Sequence, residues 1–163
     1  MAILLAEGLV NALNTYLTAN LSAKLTALNT EYADGITLEA PISTYVGLKS
    51  LKSIPHYPAM YILSPTSRFN AWTNRNGESK PEVSVGMLAI DQDSEVLQRR
   101  LYRYGRAFLE LMLDGTTSMD GWVMATDEDW EIDTIASLRT DSATSDFVGE
   151  ATLSMRCLKI EFM

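Results

Sequence analysis

The segment from Val83 to Gly115 constrains the fold more than any other part of the chain, because a strand pattern there leads directly into a helix pattern. Residues 83–90 (VSVGMLAI) alternate apolar or β-branched residues with small ones, which is typical of a strand buried on at least one face. The polar residues at 91–94 offer helix caps, and Gly115 offers a stop. Between them, apolar residues recur at helical spacing: Leu97, Leu101, Tyr104, Phe108 and Leu111. A strand and an amphipathic helix joined in this way require a sheet on which to pack.

A second, longer helix is predicted at the N-terminus. Residues 3–32 contain no proline and keep apolar residues at helical spacing, which predicts a helix of about 30 residues, with Asn20 as the place where any break would fall. Its other side is polar but almost uncharged, whereas a solvated helix usually carries Lys and Glu there. Two interpretations are open: an ordinary exposed face of modest polarity, or a face that packs on another subunit. The residues of this face are Asn11, Asn14, Thr15, Thr18, Ser22, Thr26 and Asn29.

The remaining segments predict strands at about 59–63, 121–125, 130–138 and 147–162, and either a short strand or an extended arm at 42–48. Residues 66–82 (TSRFNAWTNRNGESKPE) are predicted to form a protruding, hairpin-like loop with a turn at Asn76-Gly77. The whole chain, 1–163, is therefore predicted to be a single α+β domain. We expect an antiparallel or mixed sheet of four to six strands, with the long N-terminal helix (1–33) and the second helix packed on one face.

Composition and charge exclude several classes of protein. The formal net charge is −8, which argues against binding to free nucleic acid, although DNA can pass an acidic surface without adhering to it. The single cysteine, Cys157, excludes an internal disulfide and a multi-cysteine zinc site, and it fits a reducing cytoplasm. The apolar first ten residues lack the basic start of a signal peptide, since no Lys or Arg precedes Lys24. No apolar run reaches the roughly 20 residues of a membrane span.

No pattern predicts catalysis, a cofactor or a metal. His56 is the single histidine, lies between Pro55 and Tyr57, and is accompanied by no Gly-x-Ser-x-Gly motif, so a loop residue is predicted. Cys157 is predicted to be buried and unreactive. Two acidic clusters lack the glycine and glutamate of a calcium loop. They comprise Asp91, Asp93 and Glu95, and then Asp127, Glu128, Asp129, Glu131 and Asp133.

Two groups of residues are candidate contacts with another subunit or a partner. The predicted loop at 66–82 is locally basic and contains aromatic residues, so it is either a contact patch or a cover for the sheet edge. Its candidates are Arg68, Phe69, Trp72 and Arg75. The second group is an arginine stripe on the helix face opposite the apolar one, formed by Arg99, Arg103 and Arg106. This stripe invites an acidic partner, unless acidic groups from the sheet loops of the same chain neutralise it.

The order of these elements resembles that of the tail terminator, or tail-completion (head–tail joining), proteins of long-tailed bacteriophages. The resemblance is carried by the long N-terminal helix, the segment 57–62 (YPAMYI) entering a strand, the turn-rich loop, the strand–helix unit at 83–113 and the closing pair of strands. It implies a small α/β protein without catalytic residues that assembles as a ring, typically of six subunits. Such a ring caps the tail tube and presents a docking surface to the head connector.

The resemblance also implies partners and a location. The expected partners are copies of the chain itself, the tail tube protein, a head connector or head-completion protein, and the sheath if the tail is contractile. DNA is expected to pass through the lumen without specific binding, and no membrane is involved. The expected location is the tail or neck of the virion, assembled in the host cytoplasm. Alternatives stay open: a head-completion or neck connector of the same virion, a small metal-dependent hydrolase built on the acidic clusters, or a monomeric binding domain.

Overall fold

The fold comes from a computed structural model that describes residues 2–47, 53–71, 76–114, 122–124, 130–140 and 146–162. These residues form two helices, α1 (Ala2–Tyr32) and α2 (Ser94–Asp114). They also form six strands: β1 (Ser43–Val46), β2 (Ala59–Ala71), β3 (Asn76–Asp91), β4 (Val123–Met124), β5 (Glu131–Thr140) and β6 (Phe147–Phe162). The predicted α+β single-domain fold with a long N-terminal helix is confirmed.

The strands form a mixed sheet in the order β1-β2-β3-β6-β5, and the two-residue strand β4 pairs with β6 beyond the end of the β5 pairing. β1 runs parallel to β2, whereas the other neighbours are antiparallel. Both helices pack on one face of the sheet, α1 mainly over β2 and α2 over β3, β6 and β5. The main core lies between the helices and this face, and its largest fully buried side chains include Trp122, Tyr104 and Phe108. The opposite face, which no helix of the described chain covers, is called here the helix-free face.

α1 runs without a break through Asn20, whose side-chain amide donates a hydrogen bond of 2.8 Å to the carbonyl of Tyr16 within the same helix. After α1 the chain turns back along the helix. The side chain of Asn29 accepts a bond from the backbone N–H of Leu38 and donates one to its carbonyl, at 2.7 and 2.9 Å. These bonds fix the course of the segment that leads to β1.

α2 begins where the sequence predicts. The carboxylate of Asp93 accepts hydrogen bonds from the backbone N–H groups of Glu95 and Val96, at 2.8 and 3.2 Å, which satisfies two donors that have no partner inside the helix. Gly149 of β6 lies under the first half of α2. A Cβ at this glycine would come within 2.5 Å of Cδ1 of Leu101, so the absence of a side chain sets how closely α2 approaches the sheet.

The segment 66–82, predicted to be a hairpin-like loop, does form a hairpin, but most of its described residues belong to paired strands and not to a loop. β2 continues to Ala71 and β3 starts at Asn76, so the segment forms the two paired strands of a hairpin, with Arg68 opposite Lys80. Asn76 and Gly77, predicted to form the turn, are instead paired with the end of β6. Local turn propensity is overridden here because β6 supplies a second neighbour for β3, and pairing on both edges favours extended backbone.

Candidate functional site

The arginine stripe of α2 is used inside the chain at its central position. Arg103 is only 6% exposed, and its guanidinium forms a two-pronged ion pair with the carboxylate of Asp34, with Nη1 at 3.0 Å from Oδ1. Nη1 also donates to the carbonyl of Ile36, and the guanidinium carbon lies 4.0 Å from the centre of the Tyr32 ring. Arg103 therefore fastens the end of α1 and the segment after it to α2.

Arg106 belongs to a second, more exposed network between the helices. Its Nη1 donates to the carboxylate of Glu31 at 2.8 Å and to the hydroxyl of Tyr32 at 2.9 Å, and its Nε donates to Glu110 at 2.6 Å. Glu110 in turn pairs with Lys24 of α1 at 2.6 Å. The last turn of α1 contains no basic residue, so Arg103 and Arg106 supply the positive charge that its carboxyl end favours.

Neutralisation of the stripe within the chain, which was one of two interpretations, is confirmed for Arg103 and Arg106. The source of the acidic groups was predicted incorrectly, since they come from the end of α1 and the residues after it rather than from the sheet loops. Arg99 pairs with Glu95 one turn earlier on the same helix, and both side chains are exposed. The suggestion that Arg99 contacts a partner stays a prediction. Arg100, which the stripe does not include, pairs with Asp91 at the end of β3.

The other predicted contact residues belong to the β2–β3 hairpin. The structure places Arg68 and Phe69 in the outer half of β2. Trp72 and Arg75 lie outside the described residues. Their role as contacts stays a prediction.

Those groups considered for catalysis or metal binding that the structure describes have structural roles or are exposed. Asp91 accepts the backbone N–H of Asp93 at 2.9 Å and pairs with Arg100, so the first acidic cluster caps α2 and forms an ion pair. In the second cluster, Glu131 and Asp133 are exposed on β5, and the residues at 127–129 lie outside the described part of the chain. Within the described residues, no group of three or more His, Cys, Asp and Glu side chains is placed to hold a metal ion.

Cys157 is fully buried, and burial raises the pKa of its thiol to about 12. Because the thiolate is the nucleophilic form, this cysteine is unreactive in the folded protein at neutral pH. A cavity of about 80 Å³ lies at the end of β3, between Glu39, Tyr57, Arg100 and Tyr104. It has room for a few water molecules.

The helix-free face is the surface with the most distinct chemistry. The ring of Tyr61 lies across Gly86, where a Cβ would overlap it, and the tyrosine hydroxyl donates to the carboxylate of Glu150. Thr152 also donates to that carboxylate, at 3.1 Å. Nearby, the hydroxyls of Ser84 and Ser154 bond to each other at 2.8 Å. The hydroxyl groups across the middle of this face therefore bond to neighbouring side chains of the same chain.

Among the side chains that the structure describes, acidic groups outnumber basic groups on the helix-free face. Strand alternation places on it the residues between those buried under the helices, and its described ionisable side chains are Glu82, Glu131, Asp133, Glu150 and Arg156. Of these five described side chains, four are acidic and one is basic. The acidic groups repel phosphate groups, and Ala59, Tyr61 and Leu88 form a small apolar cluster on the same face.

Comparison of the sequence with protein-family models and with curated proteins gives no match. Within the described residues, neither helix is apolar enough over a sufficient length to cross a membrane. The residues of the chain itself are therefore the basis for a functional proposal.

Proposed function

We propose that this chain is a structural virion protein, a ring-forming tail terminator that caps the tail tube of a long-tailed bacteriophage and provides the docking surface for the head connector. The observation that carries the proposal is the excess of acidic groups among the described side chains of the helix-free face. In a ring with this face turned inwards, the acidic groups Glu82, Glu131, Asp133 and Glu150 line an opening through which DNA moves without adhering.

The hydrogen bonding of the face supports the same function. Tyr61, Thr152 and Glu150 bond to one another, as do Ser84 and Ser154, so the donors of these hydroxyls are used within the chain. A surface that conducts DNA must avoid specific contacts, because each contact would slow the passage of the strand. The element order noted in the sequence, with its resemblance to tail terminators, supports the same function independently of the charge.

The first experiment measures the mass of the purified protein by light scattering after size exclusion, over a concentration series, with negative-stain imaging of the largest species. We expect rings with a central opening. A strict monomer at every concentration, both alone and after addition of tail tubes, contradicts the proposal. Capping of tail tubes distinguishes the two virion proteins. A terminator is expected to cap the tube ends, whereas a head-completion or neck connector is expected to bind the head connector and leave the tube ends bare.

A thermal melt tests the enzyme alternative directly. A metal-dependent hydrolase built on acidic side chains is stabilised by its metal, because the ion binds the folded state. We expect the melting temperature to stay unchanged on addition of magnesium, calcium or manganese. A rise of several degrees with one of these ions supports the hydrolase instead.

A further inference from the structure

The pairing of the middle strands of the sheet is interrupted twice, at nearly the same level. Between Leu63 and Thr66, two residues of β2 stand opposite the single residue Val83 of β3, which is a β-bulge. The pairs between β3 and β6 stop at Glu82 and resume at Ser79. The two interruptions are therefore adjacent along β3. We call them together the seam, which comprises residues 64–65, 80–81 and 157–158.

The backbone direction of β3 follows from that of its neighbour. The backbone N–H of Gly47 donates to the carbonyl of Ile62 at 3.0 Å, so the even-numbered residues in this part of β2 face β1 and the odd-numbered ones face β3. The odd-numbered Tyr61 pairs with Gly86. The even-numbered residues of β3 therefore face β2, and its odd-numbered residues face β6.

Two prolines account for the seam. Pro81 lies in an interior strand and, as an odd-numbered residue of β3, faces β6, where the register places Cys157 opposite it. Proline has no N–H group, so the ladder bond from this position to β6 cannot form. Pro65 occupies the bulge of β2 and lacks a donor in the same way. Both ladders therefore lose backbone hydrogen bonds at this level.

The outer strands of the described sheet end at the seam as well. β1 pairs with β2 as far as Ile62, and β5 pairs with β6 from Ser154 onwards, so both lie on one side of it. We call this side the inner sheet, formed by β1, β5 and residues 59–63, 82–91 and 147–156. The other side, the outer sheet, is formed by residues 66–71, 76–81 and 159–162.

The main core belongs to the inner sheet. It contains Ile62, Val85 and Leu153 from the three strands that cross the seam. Cys157 lies at the seam but is also part of this core, and β4 pairs with β6 at this position and the next. Cys157 and β4 are therefore held with the inner sheet.

We propose that the outer sheet opens as a separate unit, with the seam as the boundary, while the inner sheet and the helices stay folded. Proteins open in cooperative units, and interrupted ladders on both sides of β3 reduce the coupling between the two parts. The inference goes beyond the proposed function and does not depend on it. It gives the chain a part, carrying Arg68 and Phe69, that can separate and pair again without loss of the core.

Hydrogen exchange of the backbone amides in low concentrations of urea tests the proposal on the wild-type chain. We expect the amides at 66–71 and 76–80 to exchange at least about tenfold faster than the slowest amides of the inner sheet, with a weaker dependence on urea. The weaker dependence follows because a local opening exposes less surface than global unfolding. Equal exchange and equal urea dependence in both sheets would show a single cooperative unit and overturn the proposal.

A destabilised inner sheet separates the two units further. Gly149→Ala forces a methyl group against Leu101 and weakens the packing of α2 on the inner sheet. We expect the inner amides to exchange faster by the factor that measures the lost stability, and the outer amides to stay within about twofold of the wild type. If this variant does not fold, Arg103→Met takes its place. A common acceleration of both groups of amides contradicts the proposal.

The cause of the boundary is tested at Pro81. Pro81→Val supplies an N–H group opposite Cys157, and we expect the outer amides to exchange about fivefold more slowly, as one added hydrogen bond allows. Pro55→Val, the same change at an exposed position outside the strands, is the matched control and should leave exchange unaltered. If Pro81→Val has no more effect than the control, the seam is not the boundary. If it does not fold, the two preceding measurements decide.

Discussion

Arg103 joins the last turn of α1, the segment after it and the middle of α2 through one guanidinium group. Its partners are the carboxylate of Asp34, the carbonyl of Ile36 and the ring of Tyr32. A planar, permanently charged fork can serve all three at once, which an ammonium group cannot. The residue that the spacing places in an exposed stripe is therefore a structural residue.

Replacement of Arg103 tests this role. Arg103→Met keeps the apolar part of the side chain but leaves Asp34 without its ion pair, so we expect the melting temperature to fall by about 5 °C. The control Arg99→Met removes an exposed pair with Glu95 and is expected to change it by less than about 2 °C. Equal changes in the two variants would show that the pair with Asp34 contributes no more than a surface ion pair.

The ion pair with Asp34 also predicts how stability depends on pH. Hydrogen bonds from Arg103 lower the pKa of the Asp34 carboxyl from 3.8 to about 2. The stabilisation is therefore complete above the unfolded pKa near 3.8 and is lost as the pH falls towards 2. In urea titrations, we expect Asp34→Asn to be less stable than the wild type at neutral pH, and the difference to disappear near pH 2. A difference that does not depend on pH would contradict this account.

At the scale of elements, the two helices meet the sheet in different ways. α2 lies close to β6 because Gly149 leaves room for Leu101 and Leu97. α1 packs through a row of leucines, and its other face stays exposed, with small side chains from Asn11 to Thr30. Gly8 in the first half of α1 has nothing within 4 Å of the place where a Cβ would be.

Two glycine substitutions are therefore expected to have opposite effects. Gly149→Ala forces a methyl group against Leu101, and we expect the free energy of unfolding to fall by about 1–3 kcal/mol. Gly8→Ala adds a methyl group to an exposed helix position and is expected to raise it by about 0.5–1 kcal/mol. Urea denaturation of both variants measures the two changes. Stabilisation by Gly149→Ala would show that α2 does not lie as close to β6 as described.

At the scale of the whole molecule, Cys157 reports the integrity of the fold. It lies on β6, which pairs with β3, β4 and β5, and its thiol is fully buried. A reagent that requires the thiolate can reach it only after the sheet opens. Since β6 is an interior strand of the described sheet, with neighbours on both sides, we expect fraying of a strand end to be insufficient.

We expect the reaction of Cys157 with a thiol-specific disulfide reagent to be slow in the native protein. The rate should rise in urea in parallel with the unfolded fraction seen by circular dichroism, because both follow the same opening. The destabilised variant Gly149→Ala provides the control, with faster reaction at the same urea concentration. Rapid reaction of the native wild type would contradict the burial of this thiol.

Several features of the fold followed from the sequence because they depend on neighbours along the chain. The apolar residues of α2 recur at helical spacing and all five lie in the core. The caps at 91–94 are in place, and β6 alternates as predicted, with Ala151, Leu153 and Met155 buried. α1 also has the predicted length, since no proline or second glycine interrupts it.

The candidate site was predicted less well. Periodicity placed Arg103 and Arg106 on one side of α2. It could not predict that they pair with Asp34 and Glu31, because these residues lie about 70 positions earlier in the chain. The edge residues Ile42 and Val46 were seen only as part of an alternating segment. Tyr102 lies off the apolar stripe of α2, which predicts that it is exposed, and its side chain is 53% exposed.

The sequence by itself determined which segments are helices and strands and which faces of them are apolar, because these properties follow from spacing within a single element. Tertiary structure alone decided which ion pairs form and that the segment at 66–82 extends the sheet. It also decided which apolar residues stay exposed, such as Ile42 and Val46 at β1. The reason is that pairing and exposure depend on what each element meets in space. Helical periodicity predicts that Arg103 is exposed, but α1 and the segment after it cover this side chain. Alternation predicts that one side of β1 is buried, but Val46 on that strand stays exposed.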